Sequence, residues 1–268
     1  MSVTDKKAGL SEPLQWSDVS MGEPDPNAER ILIIPDLHNR TDRADYWLAQ
    51  QFDSAVFLGD YFDAHDDTPE DARRVALWLR DHLTDTRLMF LIGNHDAHYI
   101  YPDYGTIAYP GFTREKAEAI NEVLQLKDWN RMRLACMAGS FLVSHAGFSP
   151  IWVRPPTLQK ILHRCRTAEQ RMAKGLFDPV FGNGELPGGA QKYGGPLAMD
   201  WGFFVPIQGI SQIVGHTSGS DVRVKPEKSI NLCLDVGNAE MAAVIQGDHV
   251  TILRMSQTAV QAHERLTP

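Results

Sequence analysis

Short apolar runs that stop abruptly at a polar residue set the rhythm of the first half of the chain. Ile31 to Ile34 ends at Pro35-Asp36, Ala55 to Leu58 at Gly59-Asp60, and Leu88 to Ile92 at Gly93-Asn94. Brief apolar runs bounded by Gly, Pro, Asn and Asp are the pattern of strands buried on both faces. Between them the period changes. Asp42 to Gln51 is compatible with a helix, and Pro69 to Leu83 places Val75, Leu79 and Leu83 on one side of an amphipathic helix. Strands alternating with helices predict βαβ units and a largely parallel central sheet.

Farther along, Arg114 to Leu126 is helix-like, Ser140 to Ser144 runs into His145, and Gln212 to Val214 runs into Gly215-His216. The end of the chain reads as antiparallel: Ile230 to Leu234, Met241 to Gln246 and Val250 to Met255 are strand-like, with Gly247-Asp248 as a hairpin turn. The stretch between His145 and His216 is the least regular. A helical segment from Thr157 to Leu176 leads into Gly182, Gly184, Gly188, Gly189, Gly194 and Gly195, which suits a cap over a site as well as a surface insertion. The polar lead-in carries Pro13, Pro24 and Pro26, the marks of an extended arm. The expected organisation is an arm over residues 1–29, one domain over 30–256 with an insertion at about 150–210, and a tail over 257–268.

Composition narrows the picture. A length of 268 residues with 43% hydrophobic and 22% charged positions suits one globular domain. Lys and Arg number 26 against 34 Asp and Glu, and the formal charge of -8 argues against a protein that coats nucleic acid, which needs clustered positive charge. No apolar run reaches the length of a membrane span or forms a signal-peptide core. Cys136, Cys165 and Cys233 are too few and too scattered for a disulfide framework, so they read as reduced thiols. The expectation is a cytoplasmic protein without membrane association.

The chemistry sits where the apolar runs end. Asp36 and His38, Asp60 and Asp63, Asn94, His95 and Asp96, then His145 and His216, each follow a strand candidate. In open α/β sheets that position lies at the carboxyl ends of strands, where ligand sites are built. Carboxylate, imidazole and amide oxygen are ligands for a borderline divalent metal, and the lack of a cysteine cluster argues against a structural zinc knot.

In order, Asp36-Leu37-His38, Gly59-Asp60-Tyr61-Phe62-Asp63, Gly93-Asn94-His95-Asp96, His145-Ala146-Gly147 and Gly215-His216-Thr217 resemble the motif series of the calcineurin-like metallophosphoesterases, over residues 31 to 255. Any one motif is weak; the ordered set is specific. The wording His145-Ala146-Gly147-Phe148-Ser149-Pro150 and Val214-Gly215-His216-Thr217 is most similar to the phosphoprotein-phosphatase branch, which also contains dinucleoside polyphosphate hydrolases. The resemblance implies an α/β fold, an α+β sandwich in which central mixed β-sheets are flanked by helices in four layers. It implies two divalent metal ions, with Mn, Fe, Zn, Co and Ni all compatible. Asp36, His38 and Asp60 would hold one, and Asp60, Asn94, His145 and His216 the other. Two dications about 3.5–4 Å apart repel, so a bridging carboxylate and a bridging hydroxide that attacks phosphorus are expected.

The same resemblance makes His95 the general acid and Asp63 the partner of its other ring nitrogen. Asp96 would orient the loop. Two positions depart from the wider pattern: Ser218 stands where many members carry a histidine, and Ala64 where protein phosphatases carry a phosphate-gripping arginine. Arg40, Arg164 and Arg166 are the candidates to replace that arginine. His65, His82, His98 and His163 read as ordinary surface or packed histidines, and Tyr99, Tyr101 and Tyr104 as loop packing.

The expected activity is hydrolysis of a phosphomonoester on a protein or small molecule. Attack on a phosphodiester or dinucleoside polyphosphate is the enzymatic alternative, and a binding protein that kept the fold without catalysis is the alternative of another class. Retention of all the implied ligands and of the acid favours an enzyme. Its partner would be a phosphorylated protein, nucleotide or small molecule.

Overall fold

The computed structural model describes residues 27–184, 192–227 and 229–255. Its elements run β1 (Arg30–Ile34), α1 (Thr41–Leu48), β2 (Ser54–Phe57), α2 (Pro69–His82), β3 (Leu88–Phe90), α3 (Asn94–Ile100), α4 (Arg114–Asn121) and α5 (Leu126–Trp129). They continue with β4 (Ala135–Ala138), β5 (Phe141–Ser144), α6 (Leu158–Met172), β6 (Gln212–Val214), β7 (Arg223–Lys225), β8 (Asn231–Cys233), β9 (Met241–Gln246) and β10 (His249–Arg254). The strands form two sheets, ordered β10-β9-β1-β2-β3 and β4-β5-β6-β8-β7. In the first, β1, β2 and β3 are parallel while β9 and β10 are antiparallel. In the second, β5, β6 and β8 are parallel, with β4 and β7 as antiparallel edges. Two mixed sheets flanked by helices are the architecture that the motifs implied.

Strand alternation explains the packing. Ile33, Val56 and Leu58 face Val143, Ile213 and Leu232 across the seam between the sheets. Leu32, Ile34 and Phe57 point the other way and pack with Trp47 of α1 and with Val75 and Leu79 of α2. Helix α2 forms where it does because Thr68 accepts from the Asp71 backbone N–H, Asp71 answers with its side chain, and Pro69 opens the first turn. Ala72, Val75, Ala76 and Leu79 then recur on its buried face. Helix α6 buries Ile161, Cys165, Ala168 and Met172, so this part of the 150–210 region is fastened to the core.

Several expectations shift. Ile230 to Leu234 was expected in an antiparallel end; β8 instead runs parallel to β6 in the second sheet, because β7 turns back against it first. β4 and β7 were not foreseen, and the half-buried Arg-Val-Lys of β7 offers no hydrophobic contrast to reveal it. Asn94 opens a helix, α3, instead of a loop, capped by the Asp96 carboxylate accepting from Gly93 N at 2.8 Å. The Arg114 to Leu126 segment is helical only as far as Asn121, in α4, and a separate short helix, α5, starts at Leu126. All three cysteines are free, and no helix among the described residues is long and apolar enough to cross a membrane. Most of the arm, the whole tail and residues 185–191 lie outside the described residues.

Candidate active site

The carboxyl ends of β1, β2 and β3 lead to Asp36, Asp60 and Asn94, and those of β5 and β6 to His145 and His216, so two sheets contribute to one cleft. Their loops interlock. The amides of Leu37 and His38 both donate to Asp60 O, at 3.0 and 2.9 Å. A side chain at Gly59, which has φ 104°, would strike Gly93 N, and one at Gly215 would strike the Asp36 carboxylate. His38, Asp60, Asp63 and His216 all have left-handed backbones, with φ of 42°, 52°, 66° and 69°. Such a conformation costs roughly 1–2 kcal/mol for a residue with a Cβ and persists where surrounding contacts over-determine it, most often at functional sites.

Hydrogen bonds aim the imidazoles. His38 Nδ1 lies 2.9 Å from Phe62 O, and His145 Nδ1 lies 2.9 Å from Leu58 O. A carbonyl only accepts, so each Nδ1 carries a hydrogen and each Nε2 is turned toward the carboxylates, the usual orientation of a metal-binding histidine; His145 Nε2 faces acceptor oxygens and so carries a hydrogen as well, one that a bound cation would displace. His145 Nε2 is 3.4 Å from Asp60 Oδ2 and 2.9 Å from Asn94 Oδ1, and His38 Nε2 is 3.9 Å from Asp60 Oδ2. Candidate ligand atoms of Asp36, His38 and Asp60 lie within 4.8 Å of one another, as do those of Asp60, His145 and His216. Asp60 belongs to both groups. Asp36 is fixed by the His216 amide at 2.9 and 3.1 Å, and Asp60 Oδ1 by the His95 amide at 2.8 Å.

The electrostatics of these groups are strained. Burial and the neighbouring Asp235 push the Asp36 carboxyl well up. Burial would raise Asp60 too, but His145, His95 and His38 hold it well below the usual carboxylate range. Burial would lower His145, yet Asp60 and Asp36 raise it to about 10. Burial and His145 press His216 down to about 3. Asp235 Oδ1 and His216 Nδ1 are buried without hydrogen-bond partners. Carboxylates, imidazole nitrogens turned inward and buried polar atoms without partners form a donor set that fits divalent cations.

Beside this cluster lies a second corner built on Asp63. One oxygen of Asp63 is 2.9 Å from His95 Nδ1 and 2.8 Å from His98 Nε2. The other accepts from the Tyr99 hydroxyl and from Lys116 Nζ at 2.7 Å, and Lys116 reaches Asp67 at 2.7 Å as well. His98 Nδ1 accepts from the Tyr109 amide at 3.2 Å, which leaves the hydrogen on Nε2 facing Asp63. Burial would raise Asp63, but its bonds from His95 and His98 hold it far below the usual range. Burial would lower His95, while Asp60 and the bond and charge of Asp63 raise it. Burial lowers His98. Asp96 accepts from the amides of Asp60, Tyr61 and Gly93 at 2.8, 3.0 and 2.8 Å, binding the β2 and β3 loops together.

The arginines are engaged elsewhere. Arg40 makes a fork to Asp42 with two bonds of 3.0 Å, Arg164 pairs with Asp178, and Arg166 is exposed on α6. An open cavity of about 450 Å³ adjoins the second corner, lined by Asp63, Ala64, Asp67, Gly111, Thr113 and Lys116. His98, just after the Gly93 to Asp96 motif, reads from the sequence as an ordinary packed or surface histidine, and Lys116 is not singled out there at all. Lys116 did leave a signal, since it falls on the apolar face of α4 with Ala117 and Ile120. Tyr101 and Tyr104 pack against Phe177, as loop packing predicts.

The family model described as calcineurin-like phosphoesterase matches residues 29–219. Comparison of the sequence with curated proteins returns no match. Among solved structures, a mutant cold-active protein tyrosine phosphatase aligns with a TM-score of 0.54 at 16% identity, covering 84% of this chain and 78% of that one. A protein serine/threonine phosphatase from Saccharomyces cerevisiae aligns with a TM-score of 0.51 at 12% identity, covering 86% and 81%. A metallophosphoesterase from Sphaerobacter thermophilus aligns with a TM-score of 0.42 at 17% identity, covering 89% and 94%.

Proposed function

Since the chain belongs to the calcineurin-like phosphoesterase family and is thereby a metal-dependent phosphoester hydrolase, we propose that it is a phosphomonoesterase working with two divalent cations. The observation that carries this reading is the double membership of Asp60, whose Oδ2 is approached by His38 Nε2 and by His145 Nε2 and whose carboxylate belongs to both groups of candidate ligands. Asp36, His38 and Asp60 would hold one cation, and Asp60, Asn94, His145 and His216 the other. Bound there, the cations would supply Lewis acidity, activating water and neutralising phosphate oxygens.

The remaining work falls to the chain's own groups. His95 keeps Nδ1 on Asp63, so its Nε2 is the atom that can hand a proton to the leaving oxygen. Asp63 raises the affinity of that imidazole for its proton, and Lys116 and Tyr99 keep Asp63 in place. The open position at Ala64 leaves phosphate recognition to another cation, and Arg40 is the nearest in sequence to the His38 loop, provided that it shares Asp42. The His145 to Pro150 and Gly215 to Thr217 wording resembles a branch that holds phosphatases as well as dinucleoside polyphosphate hydrolases, and the likeness to two protein phosphatases favours monoesters within it.

The test is a steady-state panel on protein reloaded with manganese: p-nitrophenyl phosphate, bis(p-nitrophenyl) phosphate, phosphopeptides and dinucleoside polyphosphates. A higher kcat/KM for monoesters is expected. Preference for the bis ester or for the polyphosphates would replace this reading with the corresponding one.

A further inference from the structure

One strand end of the cleft has no role in the reading above. β6 and β8 are parallel neighbours with Val214 opposite Cys233, so the chain leaving β8 reaches Asp235 at the level where the chain leaving β6 reaches His216. The two segments are tied at that level. Leu234 N donates to Val214 O at 2.8 Å and Gly219 N to Asp235 O at 3.1 Å. The Arg223 guanidinium donates to the carbonyls of Thr217 and Asp235 and to Cys233 Sγ. Asp235 is therefore a strand-end residue like Asp36, Asp60 and His216, held at a fixed height.

Its surroundings are those of an unfinished ion site. Asp235 is 2% exposed, and its Oδ1 has no hydrogen-bond partner. The charges acting on it belong to His38, Asp60, His145 and Arg223, and it is in turn the foremost charge acting on Asp36. Arg223 directs its terminal nitrogens to carbonyls and sulfur and makes no hydrogen bond to the Asp235 carboxylate. A buried carboxylate with a free oxygen, set among other carboxylates, is costly unless positive charge is brought to it. His216 Nδ1, likewise buried and unpaired, lies on the adjoining segment.

We propose that Asp235, which lies outside the group of ligand atoms within 4.8 Å of one another, is an outer anionic partner of the cation position made by Asp36, His38 and Asp60, so that a third carboxylate, from the second sheet, acts on that position. The inference rests on the two-cation reading above. It assigns a function to the Leu234-Asp235-Val236 segment, whose negative charge would tighten a divalent ion at that position without touching the other.

The experiment titrates metal-free wild type and Asp235→Asn with Mn²⁺, following stoichiometry and affinity calorimetrically, and records Tm with and without the metal. Wild type is expected to take up two ions. The Asn variant should keep one affinity unchanged and lose roughly 10–100-fold in the other. Its metal-free Tm should rise, because a repelling carboxylate is gone, while its gain on loading shrinks. Unchanged affinities overturn the proposal, and so does an equal drop in Tm with and without metal, the mark of a purely structural residue. If the Asn variant does not fold, Asp235→Ser carries the same two readouts. A wild type that takes up no Mn²⁺ would remove the two-cation reading itself, an outcome distinct from a wild type with two ions and an indifferent variant.

Discussion

Two corners of the same cleft are finished to different degrees. Around Asp63 the charges are largely matched within the protein: His95, Tyr99 and Lys116 bond one carboxylate, Lys116 is balanced again by Asp67, and His98 Nε2 lies 2.8 Å away without a well-aligned hydrogen bond. Around Asp36 and Asp235 the two buried carboxylates repel each other, and Asp235 Oδ1 and His216 Nδ1 have no partner. A buried polar network that is fully satisfied rigidifies, whereas one left open is unstable until something completes it. The first corner is nearly complete as protein; on the reading proposed above, cations would complete the second. Catalytic labour would then divide along the same line, with proton delivery on one side and charge neutralisation on the other.

The contrast can be broken most severely by chelation. Stripping the metals should abolish turnover, and amide hydrogen exchange should then show the Asp36 and His216 loops losing protection while α3 and the Asp63 loop keep theirs. Equal loss in both corners would erase the distinction. Next in size, His95→Asn should retain its metal stoichiometry yet lose about 10²–10⁴-fold in kcat on substrates with poor leaving groups, and far less on p-nitrophenyl phosphate. A uniform loss across leaving groups would remove His95 from proton transfer.

A smaller effect is expected from Lys116→Met, which leaves Asp63 and Asp67 buried without their shared cation. Lys116 is 3% exposed, and removing one partner of a buried pair costs about 3–5 kcal/mol, measurable by urea denaturation. The subtlest test is the pH profile. Asp63 raises the pKa of His95, so the acid form survives to higher pH with Asp63 than without it. Asp63→Asn should accordingly move the basic limb of kcat/KM down by roughly one pH unit or more. A limb that stays in place, or moves up, would mean that another group delivers the proton.

What the sequence made legible follows from local contrast. Asp36, Asp60, Asn94, His145 and His216 stand out because each ends a short apolar run, and the structure gathers them at one edge of two sheets. His98 and Lys116 are brought to Asp63 from α3 and α4, and nothing in their immediate neighbours encodes that meeting. Asp235 is the instructive case. Ile230 to Leu234 also ends in an aspartate, the same pattern as the others, but placing that run in an antiparallel end sends its terminus away from the cleft. Only the parallel register of β8 with β6 shows which way it points. Hairpins and crossovers can be equally compatible with apolar runs of this length, so direction is set by tertiary pairing.

Because the ligand-bearing loops are shared between two sheets, the apolar seam that joins those sheets is also the gauge of the gap between the jaws. Ile33 and Ile213 meet in that seam, each a few residues upstream of a candidate ligand. Trimming either side chain would let the jaws settle closer or tilt, altering ion spacing without changing a single coordinating atom. Volume in the middle of this molecule is thus a variable of its chemistry, and a hydrocarbon residue there can behave genetically like an active-site residue.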